Sequence, residues 1–134
     1  MSQMIFINLP VADLDASRKF FARLGYSFNA QFSDENALCL VISDTIFAML
    51  LRPEFFAAFT PRPIADAHRE SEVILGLSAD SRGDVDRLVD AAVAAGGTQV
   101  RGPMAGDSMY GRSFADPDGH VWEIFWMDPH AVRA

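Results

Sequence analysis

Apolar positions along the chain follow two rhythms, and the switches between them mark the elements. Met4 to Val11 is short, apolar and β-prone, and a period of two puts Phe6, Asn8 and Pro10 on one face. From Asp13 to Leu24 the period becomes helical. Leu14, Phe20, Phe21 and Leu24 share a broad apolar face, while Asp15, Arg18, Lys19 and Arg23 lie mostly elsewhere. Asp13 suits the N-cap and Gly25 the stop. Tyr26 to Phe32 predicts a strand with Tyr26, Phe28 and Ala30 alternating, and Ser33-Asp34-Glu35-Asn36 a turn. Ala37 to Ile42 and Thr45 to Leu51 predict two more strands, joined by a turn at Ser43-Asp44.

Arg52 to Arg69 interrupts the pattern with Pro53, Pro61 and Pro63, and allows one short helix over Glu54 to Phe59. Phe55, Phe56 and Phe59 are costly to leave in water, so this connector is expected to pack them on a sheet or a partner chain. The pattern then resumes. Glu72 to Leu77 predicts a strand. Ser81 opens a helix with Asp84 as a capping-box-like acid, and Val85, Leu88, Val89, Ala92 and Val93 form its apolar face up to Gly96-Gly97. Thr98 to Arg101, Met109 to Phe114 and Val121 to Met127 predict three strands, with Asp116-Pro117-Asp118-Gly119 as a strong turn. Strand, helix and three strands therefore occur twice, with the helix starts at Asp13 and Ser81 in register. One helix covers only one face of four strands, which gives a reason for the doubling. The expected organisation is a single α+β domain: a module at 1–52, a connector at 53–69, a module at 70–128 and a short C-terminal tail.

Composition narrows the function. Of 134 residues, 50% are hydrophobic and 22% charged, as in a soluble globular domain. The net charge is −7, and no basic run is present, which argues against a nucleic-acid partner. No apolar stretch is long enough for a bilayer, so no membrane partner is expected. Met1-Ser2-Gln3-Met4 lacks the features of a signal peptide, and the lone Cys39 can form no internal disulfide or cysteine-based zinc site. These point to a cytoplasmic, reducing location. There is no phosphate loop, because Gly96-Gly97 ends a helix instead of starting one.

The duplicated pattern, with Val11-Ala12-Asp13-Leu14-Asp15-Ala16-Ser17, Phe20-Phe21, Leu24-Gly25-Tyr26, Ala94-Ala95-Gly96-Gly97 and Phe114-Ala115-Asp116-Pro117-Asp118-Gly119-His120-Val121-Trp122-Glu123, resembles the vicinal oxygen chelate superfamily. That superfamily includes glyoxalase I, bleomycin-resistance proteins and extradiol dioxygenases. The resemblance covers almost the whole chain and implies two βαβββ modules forming a cupped mixed sheet. It further implies that active members hold one divalent metal in the cup, where Lewis-acid chemistry stabilises an enolate or oxyanion. The usual ligands come from the first and last strands of each module. Carried onto this chain, those positions are Phe6, Ala48, Ile74 and Glu123, and only Glu123 has a donor. A slip of two residues brings in Asn8 and Glu72 beside Glu123 as a second candidate metal set.

Each candidate has a chemical reading and a structural one. Glu123, between Trp122 and Ile124, is a metal ligand or general base, or else an acid paired with an arginine. Glu72 is a ligand, or a solvated acid at a strand end. Asn8 is disfavoured mid-strand and could orient a substrate oxygen, or be satisfied by backbone. Tyr110 and Arg112 share a strand face; Arg112 could clamp a carboxylate or phosphate, or pair with Glu123 or another acid on a neighbouring strand. His120, His68 and His130 form no metal motif, and Cys39 suits a buried inert thiol. Two functions follow. One is a protein binding a small, partly apolar molecule in the cup without the full metal-ligand set, as bleomycin-resistance-like members sequester drugs. Phe6, Phe47, Trp122, Phe125 and Trp126 supply aromatic surface for it. The other is a metal-dependent lyase or isomerase of lactoylglutathione lyase type, or an extradiol dioxygenase-like enzyme, using Glu123. A homodimer is expected from the Phe55-Phe56-Phe59 cluster and the Trp122/Trp126 strand. Glu123, Asn8 and Arg112 are expected to reach one cavity.

Overall fold

A computed structural model of the chain describes residues 3–130. Met1 and Ser2, and residues 131–134 of the expected C-terminal tail, lie outside the described residues. The fold is α+β and divides into two compact units, Met1–Asp66 and Ala67–Ala134, each with its own open mixed sheet.

In the first unit, β1 (Ile5–Pro10) leads to α1 (Leu14–Arg23), β2 (Ser27–Asn29), β3 (Ala37–Val41) and β4 (Ile46–Leu51). The Asp13 carboxylate accepts from the backbone N–H groups of Asp15 and Ala16 at 2.9 and 3.1 Å, the predicted N-cap. Gly25 follows the helix at φ 98°, where other residues are strained. The predicted strand over Tyr26 to Phe32 ends early, at Asn29. Its side-chain oxygen accepts from Gln31 N–H and Ser33 Oγ donates to its carbonyl, so the chain turns through a 3-10 segment, Ala30–Phe32. Strand order is β1-β4-β3-β2, parallel only between β1 and β4. Arg18 of α1 lies over the ring of Phe28, which pairs with Leu40. The helix thus covers the face of Phe28, Leu38, Leu40, Ala48 and Leu50.

The connector contains a short helix, α2 (Pro53–Phe56), then a 3-10 turn at Ala57–Phe59. Its aromatics are only partly packed: Phe55 meets Phe59 edge to face, and Phe59 stays exposed.

The second unit runs β5 (Ile74–Ser78), α3 (Arg82–Ala94), β6 (Thr98–Gln99), β7 (Met104–Ala105), β8 (Met109–Ala115) and β9 (Val121–Met127). Its strand order is β5-β9-β8-β6, with β7 also pairing β8, so the edge carries one more short strand than expected. Ser81 Oγ caps α3 by accepting from Asp84 N–H at 3.1 Å. The Asp84 carboxylate does not return to complete a capping box; Arg87, one turn on, takes it at 2.5 Å. Val85, Val89 and Ala92 of α3 are fully buried and pack on the face that carries Phe114, Trp122 and Ile124. At the β8–β9 turn, Asp116 Oδ1 accepts from the N–H groups of Asp118 and His120, and Oδ2 from the indole Nε1–H of Trp122 at 3.0 Å. Burial pushes the Asp116 carboxyl above the usual range, against the pull of that indole N–H.

Candidate functional site

Each sheet has one face covered by its helix and one free of it, and strand parity assigns every candidate to a face. In the second unit Glu123 pairs with Gly76 on β5 and with Ser113 on β8, and these three lie on the helix-free face. Gly111, Ala115, Val121 and Phe125 share that face. Beside Glu123 it is therefore low: two glycines, a serine and an alanine, with the Phe125 ring next along the strand. A Cβ added at Gly76 would meet that ring at 3.4 Å.

Glu123 is not alone there. Arg101 donates from its guanidinium to Glu123 Oε2, and from its other terminal nitrogen to the carbonyl of Gly102 at 3.0 Å. Both side chains are about one-third exposed, at 34 and 31%. An ion pair at this depth keeps water contact and a modest net worth. The arginine partner that the sequence allows for Glu123 exists, but it is Arg101 and not Arg112.

Tyr110 and Arg112 point the other way. Arg112 pairs in register with Ile124, whose side chain faces α3, while Glu123 pairs with Ser113. On the helix side Arg112 donates to Asp86 and Asp90 of α3 at 3.0 and 2.9 Å, and to Gln99 Oε1 at 3.2 Å. Tyr110 Oη–H donates to Asp86 at 2.6 Å and holds its carboxyl below the usual range. Trp126 lies on this side too, with the Arg82 guanidinium 4.9 Å from its ring. The expectation that Arg112 reaches the cavity of Glu123 is thus corrected by one residue of alternation. Arg112 ties α3 to β8, and its acids come from a helix, not a neighbouring strand. Asp86 and Asp90, one turn apart, are the sequence signal for such a partner.

Glu72 lies outside β5, two residues before its first paired position, and is exposed. Phe6 and Asn8 lie on the helix-free face of the first sheet, where Phe6 stacks on Phe47 with centroids 4.9 Å apart. Ala48 pairs with Ile7 and Leu40 on the helix side and is fully buried, so it is not a site position. Asn8 and Gly76 each stand five residues before their helix caps, Asp13 and Ser81. Asn8 pairs with Met49 and Gly76 with Glu123, so the repeat makes Met49 the counterpart of Glu123.

The first unit also has a cavity of about 340 Å³, on the α1 side, lined by Arg18, Phe28, Ala30, Ser33 and Asp34. Its polar groups are committed locally: Ser33 Oγ accepts from Cys39 N–H and Asp34 caps Asn36 and Ala37.

A divalent metal does not fit these residues. Gly76 and Ser113, the two strand neighbours of Glu123, supply no carboxylate or imidazole, and Met49 replaces a ligand at the matched position. Among the described residues no group of three or more His, Cys, Asp or Glu side chains is placed to hold an ion.

Each unit runs strand, helix and then further strands in an open mixed sheet, with β7 as an added edge strand in the second, and this is a glyoxalase-like architecture. Residues 3–124 match the model of the Glyoxalase/Bleomycin resistance protein/Dioxygenase superfamily, and the chain belongs to that superfamily. No curated protein matches it. Among solved structures it is similar to hypothetical protein SA1046 from S. aureus, at 27% identity and TM-score 0.79, covering 94% of each chain. It is also similar to the fosfomycin resistance protein FosX from Mesorhizobium loti, at 17% identity and TM-score 0.65, covering 98% of this chain and 94% of that one. A third is TnmS3, an antibiotic binding protein from a Streptomyces species, at 18% identity and TM-score 0.67, covering 96% and 98%. The last two likenesses extend to the fold alone.

Proposed function

We propose that this chain binds a small, partly apolar molecule on the helix-free face of its second sheet, with the Glu123–Arg101 pair as polar anchor and Phe125 as apolar wall. The observation that carries the reading is a charged pair set on a face otherwise built of Gly76, Gly111, Ser113 and Ala115. Small residues around one aromatic ring leave room for a ligand, and an acid in an apolar strand asks for a reason. On the first sheet's own helix-free face, Phe6 and Asn8 are separate candidates for contacting a small molecule. Antibiotic binding, as named for TnmS3, falls within this reading. The alternative, a lyase or dioxygenase using a metal at Glu123, requires Arg101 to leave and further donors to arrive, and nothing in the donor set favours it. A reducing, cytoplasmic location suits the single buried Cys39.

The test is Glu123→Gln, followed by calorimetric titration with a panel of aromatic acids, amides and antibiotics. Binding is expected to weaken about tenfold, as for loss of a charged hydrogen-bond partner. The melting temperature is expected to move little, because a part-exposed pair contributes at most about 1 kcal/mol. Unchanged affinity for every ligand would make Glu123 structural.

A further inference from the structure

Ser113 is buried to 2% exposure, and its hydroxyl has no hydrogen-bond partner among the described residues. The register sets its neighbours. Ser113 stands opposite Glu123 across β8 and β9. On the other side of β8, residues 100–103 run between β6 and β7, both of which pair with β8. Arg101 belongs to that stretch. To reach Glu123 its side chain must cross β8, and Ser113 is the β8 residue directly beside Glu123. The two members of the ion pair therefore come from opposite sides of the strand that carries Ser113. Leaving a buried hydroxyl unpaired is destabilising, and alanine would fill the same place without that cost. Departures from local rules of this kind cluster at functional sites.

We infer that the Arg101–Glu123 pair is a cover over a ligand subsite, and that the subsite takes a molecule carrying a hydroxyl beside a carboxylate. The inference rests on the reading of this face as the binding face. A ligand entering between Arg101 and Glu123 separates two charges and must give each a replacement. A plain carboxylate satisfies the guanidinium but leaves Glu123 without a donor. A plain alcohol does the reverse. A 2-hydroxy acid supplies both from neighbouring atoms: its carboxylate accepts from Arg101 and its hydroxyl donates to Glu123. The Ser113 hydroxyl, uncovered beneath them, donates to the ligand and ends its own isolation. An aromatic substituent on the acid would meet Phe125, which follows Glu123 on the same face.

The experiment is calorimetric titration of the full chain with mandelate, phenylacetate and benzyl alcohol, which share the ring and differ only in the polar groups. Mandelate is expected to bind about tenfold tighter than either of the others. Ser113→Ala is expected to weaken mandelate about threefold to tenfold, leave phenylacetate unchanged, and melt no lower than the parent. Arg101→Gln, in an exposed stretch where folding is not at risk, is expected to weaken both acids. Equal affinity for mandelate and phenylacetate, or unchanged mandelate binding by Ser113→Ala, overturns the subsite while leaving small-molecule binding at Glu123 standing. If neither these compounds nor any member of the wider panel binds, the reading of the face falls with it.

Discussion

Asp86 shows how far one residue's surroundings set its chemistry. It is half-exposed, yet Tyr110 and Arg112 both donate to the same carboxylate oxygen. Tyr110 is the larger cause of its lowered pKa. A carboxyl depressed in the folded state adds stability above its unfolded value, near 3.9 for Asp, and loses it as pH falls through the folded value. Tyr110→Phe should therefore cost about 0.5–1 kcal/mol at neutral pH, discounted for exposure. That deficit should shrink as the pH drops below about 4, because the parent then loses the same contribution. Melting curves of both proteins from pH 7 to pH 3 measure this; a deficit independent of pH would mean that the tyrosine acts through packing. Asp116 works in the opposite sense, since burial raises it and its ionised form burdens the fold. Comparison with the variant cancels that background.

Among the elements, the β8–β9 hairpin carries most of the site. It places Glu123 and Ser113 together, and its turn is locked from within. Gly119 has φ 87°, and a Cβ there would come within 2.7 Å of the His68 backbone nitrogen. Gly119→Ala therefore faces both an unfavourable backbone and a clash with main chain that cannot swing away. The expected loss is about 2–4 kcal/mol, read from chemical denaturation. A loss below about 0.5 kcal/mol would show that the 67–68 segment shifts freely. The hairpin also shows what was legible in the sequence. Val121 to Met127 was readable as a strand, and Asp116 to Gly119 as its turn, because alternation and turn chemistry are local. That Glu123 and Arg112 take opposite faces was not readable, because it depends on the register across the turn. A hairpin paired one residue differently reverses it. The same cause misplaced Ala48. Arg101 was visible only as the end of an expected strand, and its pairing with Glu123 depends on the detour between β6 and β7. The two helices and their caps were legible almost to the residue, since caps are read within four positions.

Across the whole molecule, the doubled strand-helix-strand pattern sets the family, and side chains at a few matched positions set the chemistry. Asn8 with Met49, and Gly76 with Glu123, occupy equivalent places in the two units, and only one of the four is an acid. Among the described residues no helix is long and apolar enough to cross a membrane. The outermost strands β1 and β5 expose Ile5 and Phe6, and Ile74, with Met4 and Val73 beside them. Apolar edge strands favour pairing with another chain. We propose a homodimer that pairs through these edges and Phe59. Trp122 takes no part in it, being buried on the α3 side of the sheet. Sedimentation velocity at micromolar concentration should give about twice 14.7 kDa, and Ile74→Lys should return it to the monomer; a 14.7 kDa species throughout would contradict this.

We propose that a ligand binds on the helix-free face of the second sheet. Amide chemical-shift mapping on the isotope-labelled full chain, with the tightest compound of the panel, tests it most directly. The largest shifts are expected on Gly76, Arg101, Gly111, Ser113, Glu123 and Phe125. Shifts concentrated at Arg18, Phe28 and Asp34, or at Asp86, Asp90 and Arg112, with the Glu123 face unmoved, would contradict it.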